Sequence, residues 1–451
     1  MRSLTTRASL AVLAILAAFP LVALFGLTSA SAASTACGAP VSSGQAPTSG
    51  GAVCITGAVW IDHASTFSSL EIARGGALYV GYPPDESTPS DCATPWNWNG
   101  TVTVSGKLTV DAGGSLLLHS STTCSGGGPS EIDTRGGIVN NGMVVAATSG
   151  QLGDQKWAIA GQRTIGGSFL NNGSVVVDSP LALIGPGTFQ NDGSLTAGTF
   201  SAPQGQEPEV LTVPPPPAGS GPLTFVNGPG GSINLQGWHA GTDYVAGSFT
   251  IDGPNSFVQA GGKTKGAPLF DVGAALAYKG TGATTIGIAG SAAISGTIPA
   301  GSVLALSDPH GGGAETCGGA PIVDTAPAGL TVAKGATLIG YGSSPCSSPA
   351  PTSLKLGAGK SLINNGTMIS GGCANAWTLL PGAYGAPNVF CIGGQDNFLG
   401  TVTNNGKLTL EAPMSIAKLT NYQPSTHKLK GGTYVVKGGT LVVGGVTVLP
   451  R

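Results

Sequence analysis

Five short stretches of the chain share one pattern: an apolar residue, any residue, Asn, Asn or Asp, Gly, any residue and another apolar residue. They are Ile138–Val144, Phe169–Val175, Phe189–Leu195, Leu362–Met368 and Val402–Leu408. Asn tolerates positive φ and Gly adopts it without steric cost, so each copy predicts a strand, a tight turn and a second strand. The predicted turn residues are Asn140, Asn141, Gly142, Asn171, Asn172, Gly173, Asn191, Asp192, Gly193, Asn364, Asn365, Gly366, Asn404, Asn405 and Gly406.

The spacing of these copies predicts a solenoid. The first two nearby copies lie 169 − 138 = 31 residues apart and the next two lie 189 − 169 = 20 apart. Repeats at roughly 20–50 residues are typical of coiled repeat architectures. We expect coils of about 20–25 residues, and we expect Asn side chains at the same turn of successive coils to stack as a hydrogen-bonded ladder.

A second motif, Leu-x-apolar-x-x-Gly-x-x-Leu, occurs at Leu70–Leu78, Leu108–Leu116, Leu330–Leu338 and Leu354–Leu362. The first Leu and the residue two later share a strand face, the Gly breaks the strand, and the last Leu returns to the interior. Because the fourth copy ends where an Asn-Asn-Gly copy begins, we interpret the two motifs as successive sides of one coil.

Composition favours a folded chain that is rich in Gly. Of 451 residues, 75 are Gly and 32 are Pro, yet 41% are hydrophobic, whereas disordered chains combine low hydrophobicity with high net charge. Only 9% are charged and the net charge is −2, which disfavours nucleic-acid binding. Helical spacing of apolar residues is absent. We therefore predict an all-β fold, a parallel β-helix (β-solenoid). The final strand-like run has no evident cap, so the chain is interpreted as a possible fragment of a longer repeat protein.

The first 32 residues have the features of a secretory signal peptide. Arg2 and Arg7 precede the apolar run Leu10–Leu27, and Ala30-Ser31-Ala32 is a small-residue cleavage site. A retained membrane anchor is the rival interpretation. We expect a secreted, extracellular protein that is either free or associated with the cell surface. Once the signal is removed, we expect no membrane insertion.

The Pro-rich segment 204–222 divides the rest of the chain. It contains Pro214–Pro217, which lack the N–H groups that a strand ladder needs. We predict a signal peptide over 1–32, one solenoid half over 33–203, a linker or long loop over 204–222, and a second half over 223–451.

Eight cysteines are split evenly between the two ends of the chain, which suits an oxidising compartment. Gaps of 17 and 18 residues are about one coil, so the preferred pairs are Cys37–Cys54, Cys92–Cys124, Cys317–Cys346 and Cys373–Cys391. Each group of four allows three connectivities, and the sequence does not choose among them. Zinc is a poor alternative because no CxxC pair exists.

The Asn-Asn-Gly turns resemble those of right-handed parallel β-helix proteins on bacterial surfaces, of the adhesin and autotransporter-passenger type. The stretch Leu419–Val436 is similar to a repeat that is common in large secreted bacterial β-strand repeat proteins. The resemblance implies a right-handed solenoid and a surface role. It carries over no catalytic residues.

The best charged constellation is Glu131, Asp133 and Arg135, which alternation places on one strand face. Carboxylates and Arg in this arrangement serve polysaccharide lyases and glycosidases as acid, base or calcium ligands. A solvated outer face with internal ion pairing is the simpler interpretation. Apart from calcium at this cluster, no cofactor or metal is predicted. The dipeptide Asp62-His63 could supply a base, but we interpret it as a turn.

A second candidate site is the stretch Trp96, Asn97, Trp98 and Asn99. Two indoles on one face, flanked by amides, could stack pyranose rings of an extracellular glycan. Packing of this loop on a disulfide at Cys92 is the simpler alternative.

These observations predict a secreted, non-catalytic β-solenoid, disulfide-stapled, with an adhesive, envelope or matrix role and a glycan or cell-surface partner. The alternative is a carbohydrate-active β-helix enzyme or a carbohydrate-binding module.

Overall fold

The computed structural model describes residues 38–81, 100–121, 130–149, 163–177, 181–197, 211–235, 238–240, 243–245, 249–266, 269–270, 273–288, 291–306, 322–340, 343–344, 352–370, 392–393 and 396–449. All of them belong to one compact unit, Gly38–Arg451. They contain strands and turns but no helix, which confirms the prediction of an all-β fold. No described segment forms a helix able to span a bilayer.

The strands are short and follow one another along the chain. The first sixteen are β1 (Ala39–Gln45), β2 (Ser49–Ile61), β3 (Ala64–Ile72), β4 (Ala77–Gly81), β5 (Gly100–Val104), β6 (Leu108–Val110), β7 (Ser115–Ser121), β8 (Ser130–Thr134), β9 (Ile138–Asn140), β10 (Met143–Ser149), β11 (Arg163–Gly166), β12 (Phe169–Asn171), β13 (Ser174–Val177), β14 (Leu181–Ile184), β15 (Gly187–Asn191) and β16 (Ser194–Ala197). The next thirteen are β17 (Leu211–Val213), β18 (Leu223–Asn227), β19 (Ser232–Leu235), β20 (Trp238–Ala240), β21 (Asp243–Val245), β22 (Phe249–Ile251), β23 (Ser256–Gln259), β24 (Lys263–Lys265), β25 (Leu269–Phe270), β26 (Ala275–Tyr278), β27 (Thr285–Ile288), β28 (Ala293–Ile298) and β29 (Val303–Leu306). The last sixteen are β30 (Ile322–Ala326), β31 (Leu330–Val332), β32 (Thr337–Gly340), β33 (Ser343–Ser344), β34 (Thr352–Leu356), β35 (Ser361–Asn364), β36 (Thr367–Ser370), β37 (Ile392–Gly393), β38 (Asp396–Asn404), β39 (Lys407–Leu410), β40 (Met414–Leu419), β41 (Tyr422–Gln423), β42 (Lys428–Leu429), β43 (Thr433–Val436), β44 (Leu441–Val443) and β45 (Val446–Leu449).

Three parallel ladders organise these strands, and each strand pairs with the equivalent strand of the next coil. Face 1 runs through β5, β8, β11, β14, β17, β22 and β25. Face 2 runs through β6, β9, β12, β15, β18, β23, β26 and β28. Face 3 runs through β4, β7, β10, β13, β16, β19 and β24. This parallel arrangement is compatible with a β-solenoid.

The same three faces continue towards the C-terminus. The ladders are joined at β27 and β28, because β27 pairs with β25 of face 1 and with β29, and β28 pairs with both β30 and β31. Beyond them, face 1 resumes with β30, β34 and the first part of β38, face 2 with β31, β35 and the second part of β38, and face 3 with β29, β32, β36, β39 and β43. Successive face 2 partners lie as close as 294 − 276 = 18 residues and as far as 402 − 362 = 40. The expected coil of 20–25 residues is therefore too uniform, because insertions between strands lengthen some coils.

The ladders also cross the segment 204–222. Within it, Leu211–Val213 forms β17 and pairs on both sides, and the run Pro214–Pro217 begins only after Val213. On either side of the segment, β15 pairs with β18 and β16 pairs with β19. The expectation that this segment cannot continue a ladder is wrong, because its strand lies upstream of the run Pro214–Pro217.

The interior is filled by alternate residues of each strand. Along face 2, Phe169, Phe189, Phe225 and Phe257 occupy one register position, and each is buried. Their rings stack in parallel with centroid distances of 4.6, 4.7 and 5.4 Å. Burial of each ring stabilises the fold by about 1.5–3 kcal/mol relative to exposure.

The C-terminal end carries local antiparallel pairs. Strand β45 folds back on β44, and β41 and β42 form a small hairpin. Asn421 accepts a hydrogen bond from the Asn404 N–H at 2.7 Å and donates through Nδ2 to the Asn404 carbonyl at 3.0 Å. These contacts satisfy the backbone N–H and carbonyl groups of Asn404, which a strand of the next coil would otherwise pair.

Candidate functional site

The Asn-Asn-Gly turns lie at the corner between face 2 and face 3. The first Asn of each copy points inward and is fully buried. The side chains of Asn140, Asn171, Asn191 and Asn227 form a chain in which each Nδ2 donates to the next Oδ1, at 2.8, 2.7 and 3.0 Å. Gln259 continues the chain at 3.3 Å, and Asn364 with Asn404 forms a second, shorter ladder at 2.8 Å.

The second Asn of each copy points outward. Asn172 donates to Asn141 at 3.0 Å, and Asn405 donates to Asn365 at 3.0 Å. Each corner thus has one dry ladder and one exposed ladder. Hydrogen bonds in the dry ladder contribute more to stability, because a buried amide that loses its partner there could not hydrogen-bond to water instead.

The glycine of this motif has a different role from the one expected. None of Gly142, Gly173, Gly193, Gly366 and Gly406 has positive φ. A Cβ on Gly173 would collide with the Gly142 carbonyl oxygen, and one on Gly193 with the Gly173 carbonyl oxygen. The expectation of positive φ is wrong, because the small size of glycine is required by close approach of the neighbouring coil.

The leucine motif supplies the left-handed glycines instead. Gly75, Gly113, Gly335 and Gly359 have φ of 81°, 84°, 83° and 69°. The first three copies lie at the corner between face 2 and face 3, in register with the Asn-Asn-Gly copies, since Val110 pairs with Asn140. Only the copy at Leu354 connects face 1 to face 2. For the other three, the interpretation as successive sides of a coil is wrong: the two motifs are alternative ways to turn one corner.

The charged constellation lies on face 1. Glu131 is partly exposed on β8, Asp133 is exposed, and Arg135 is exposed immediately after the strand. The register neighbours of Glu131 are Thr101 and Thr164, and those of Asp133 are Thr103 and Gly166. The adjacent coils therefore place hydroxyl groups and a glycine beside these carboxylates. In the part of the chain that the structure describes, no three His, Cys, Asp or Glu side chains converge on a metal position, calcium included.

Several predicted residues lie outside the described part of the chain. These are the signal segment, the aromatic stretch Trp96, Asn97, Trp98 and Asn99, and the cysteines Cys37, Cys92, Cys124, Cys317, Cys346, Cys373 and Cys391. Cys54 is fully buried on β2 and is disulfide-bonded. The predicted pairings stay predictions.

The dipeptide Asp62-His63 belongs to a polar cluster at the end of β2. Nδ1 of His63 lies 2.7 Å from Oδ1 of Asp62, and Nε2 of Gln45 donates to the same oxygen at 2.6 Å. Nε2 of Gln45 also lies 3.3 Å from His63 Nδ1. Asp62 accepts both bonds and so orients the imidazole and the amide together.

Beside this cluster lies a row of outward side chains that the sequence analysis missed. Gln45 on β1 pairs with Trp60 on β2, Trp60 pairs with Tyr79 on β4, and Tyr79 pairs with Leu117 on β7. Trp60 and Tyr79 are partly exposed, while their chain neighbours are buried. The alternation of Val59-Trp60-Ile61 and of Leu78-Tyr79-Val80 is the signal that could have identified both aromatic side chains as outward.

Two carboxyl groups have raised pKa values. Burial, and then the charge of Glu71 and a hydrogen bond with its carboxyl group, raise the pKa of Asp111 above its ordinary value. Burial raises the pKa of Asp324 to about 7, although the Ala292 N–H, which donates to its Oδ1 at 3.0 Å, partly offsets the shift. Oδ2 of Asp324 has no hydrogen-bond partner among the described residues. Asp324 lies inside the coil stack, which indicates a structural role.

A shallow groove lies on face 2 between β28 and the turn before β35. Its lining is mostly small or hydroxyl residues, with Thr297, Thr331 and Ser361 beside Lys360 as the one charged side chain of the lining.

Comparison with known proteins gave no match: no family model, no curated protein and no solved structure matches this chain.

Proposed function

We propose that this protein is a secreted, non-catalytic β-solenoid, right-handed and stapled by disulfides, that acts as an adhesive or structural component outside the cell. The observation that carries the proposal is the parallel stacking of strands from coil to coil, with the Asn ladder and the phenylalanine stack inside it. A stack held by interactions between neighbouring coils is a stiff scaffold that repeats its outer faces at regular intervals.

The right-handed coil is favoured on general grounds. Connections between parallel strands of one sheet are right-handed in nearly all cases, because the strand twist favours that hand. Each of the three faces is such a parallel sheet with crossover connections. Secretion is supported by the features of residues 1–32, and the even count of eight cysteines suits an oxidising compartment.

An adhesive role is supported by the character of the outer faces. Many outward strand positions carry hydroxyl, amide or apolar side chains, such as Thr109, Val139 and Gln190 on face 2. A surface with few charges binds partners through stacking and neutral hydrogen bonds rather than through charge pairing.

The test combines retention and turnover. The full chain is produced with its N-terminus in a bacterial secretion host, and the secreted form is sequenced, with cleavage expected after Ala32. The purified protein is then passed over immobilised cell-wall material, and the eluate is assayed for released sugars. We expect retention without product. Sugar release that Asp133→Asn abolishes and Asn172→Ala leaves intact would contradict the proposal and favour the enzyme alternative.

A further inference from the structure

The row Gln45, Trp60 and Tyr79 spans three adjacent strands at matched register on the outer side of face 3. Adjacent strands lie about 4.8 Å apart, so the indole and the phenol are immediate neighbours on the outer surface, and we call these two side chains the platform. Both side chains are partly exposed. The row continues through Leu117, Val145 and Val176, which are also partly exposed, before it becomes polar at Thr196.

The polar end of this platform is pre-organised. Gln45 is exposed, and its amide nitrogen is fixed by Asp62 at 2.6 Å, so the direction of its carbonyl oxygen Oε1 is fixed as well. Asp62 also holds His63 at 2.7 Å. The side chains of Asp62 and His63 are 18% and 26% exposed, so both can be approached from solvent without leaving the cluster. Side chains that are already held lose little conformational entropy when they bind a ligand.

This combination matches one class of ligand. A pyranose ring has an apolar face of C–H groups, which stacks on an aromatic ring, and a rim of hydroxyl groups, which donate to fixed acceptors. The acceptors here are the Gln45 carbonyl and the Asp62 carboxylate. Because Asp62 is an anion at the rim, a neutral sugar is favoured over a uronic acid, whose carboxylate it would repel.

We propose that Gln45, Trp60, Asp62 and Tyr79 form a binding site for a neutral pyranose glycan. The site rests on the proposed adhesive function, for which it supplies the class of partner. Trp60 and Tyr79 stack the sugar faces, Gln45 and Asp62 accept bonds from hydroxyl groups, and His63 positions Asp62.

The experiment measures binding of four hexasaccharides to the full chain by titration calorimetry: cellohexaose, chitohexaose, laminarihexaose and hexagalacturonic acid. We expect at least one neutral hexasaccharide to bind and the acidic one not to bind. Trp60→Ala and Tyr79→Ala should each lower the affinity by about tenfold or more, while Trp60→Phe keeps most of it. Val226→Ala, an outward residue of face 2, is the matched control and should bind as the wild type does.

A second measurement covers the case in which an alanine variant does not fold. Asp62→Asn keeps the size of the side chain and removes its charge, so it should weaken neutral glycan binding less than Trp60→Ala does and reduce the discrimination against hexagalacturonic acid. Saturation-transfer NMR on the wild type should place the strongest transfer on the C–H face of the bound sugar.

Three outcomes would overturn the site: no neutral hexasaccharide binds to a chain with a native β-sheet circular dichroism spectrum, the Trp60→Ala variant binds as tightly as the wild type, or a hydrophobic dye binds at Trp60 and no glycan displaces it. The last result would assign the platform to an apolar protein partner. Retention on cell-wall material in the absence of glycan binding would remove this site and leave the adhesive function standing, whereas loss of both would contradict both.

Discussion

Asn171 donates a hydrogen bond from its Nδ2 to Oδ1 of Asn191 over 2.7 Å, at a corner where both side chains are fully buried. The next residues along the chain, Asn172 and Asp192, point outward from the same corner. One repeated dipeptide therefore supplies an interior bond and an exterior contact, and the two differ only in their access to water.

Loss of the inner amide should cost far more than loss of the outer one. Asn171→Ala removes one of the two acceptors of Asn140 Nδ2 and the Asn171 donor to Asn191 Oδ1, both in the dry interior, so we expect about 2–4 kcal/mol of destabilisation. Asn172→Ala removes a hydrogen bond whose partner group is exposed and can bind water instead, so we expect a destabilisation of less than ~0.5 kcal/mol. Urea unfolding of both variants measures the difference. Equal losses would show that the inner ladder has no special weight.

At two glycines, the Ala and Asn variants should rank in opposite orders of stability. Gly173 does not have positive φ and faces the Gly142 carbonyl, so any Cβ clashes, and Asn, which is larger, should be worse than Ala. Gly359 has φ of 69° with open space around it, so Asn, which accepts the left-handed region, should be better than Ala. We expect losses of ~2 kcal/mol or more for Gly173→Ala and about 1–2 kcal/mol for Gly359→Ala.

Thermal or urea unfolding of the four variants decides this point. The informative result is the ranking at each site rather than the size of a single loss. If Asn were preferred to Ala at Gly173, backbone conformation and not close approach would explain the Asn-Asn-Gly motif.

Asp324 should make the protein less stable as the pH rises. Its folded pKa of about 7 lies above the ordinary 3.8, so between these values the folded state holds a proton that the unfolded chain has lost. The contribution of this carboxyl to stability is full below pH 3.8 and is lost as pH rises through 7. Asp324→Asn does not titrate, so its stability relative to the wild type should improve by about 4 kcal/mol between pH 4 and pH 8.

The matched control for this prediction is Asp133→Asn, because Asp133 is exposed on β8 of the same face. Urea midpoints of the wild type and both variants across pH 4–8 are the measurement. A wild type and an Asp324→Asn variant that change in parallel would rule out Asp324 as the titrating group.

The phenylalanine stack should tolerate an aliphatic replacement better than a cavity. Phe225 lies between Phe189 at 4.7 Å and Phe257 at 5.4 Å, with Phe249 edge-on at 5.0 Å. Phe225→Ala empties a site that neighbouring coils cannot close, and we expect a loss of about 3–5 kcal/mol. Phe225→Leu keeps most of the buried volume and should cost about 1–1.5 kcal/mol. Unfolding midpoints, with Leu399→Ala as an exposed control, provide the test.

The sequence alone determined the local features of this protein. Alternation of apolar residues specified short strands, and the Asn-Asn-Gly and leucine motifs specified where they turn, because turn chemistry and side-chain direction depend on neighbouring residues. The same reasoning placed Glu131 and Asp133 on an outer face. It could also have placed Trp60 and Tyr79 there.

Only the tertiary structure decided which coils are neighbours. Successive partners on face 2 lie from 18 to 40 residues apart, so register is set by the summed burial of every strand and not by a fixed period. Register in turn reveals that Gly173 faces a carbonyl of the preceding coil, that Gln45, Trp60 and Tyr79 form one row, and that Asp324 is sealed inside. These relationships join residues on separate strands, and their energies depend on water excluded by the whole stack, which no local pattern encodes.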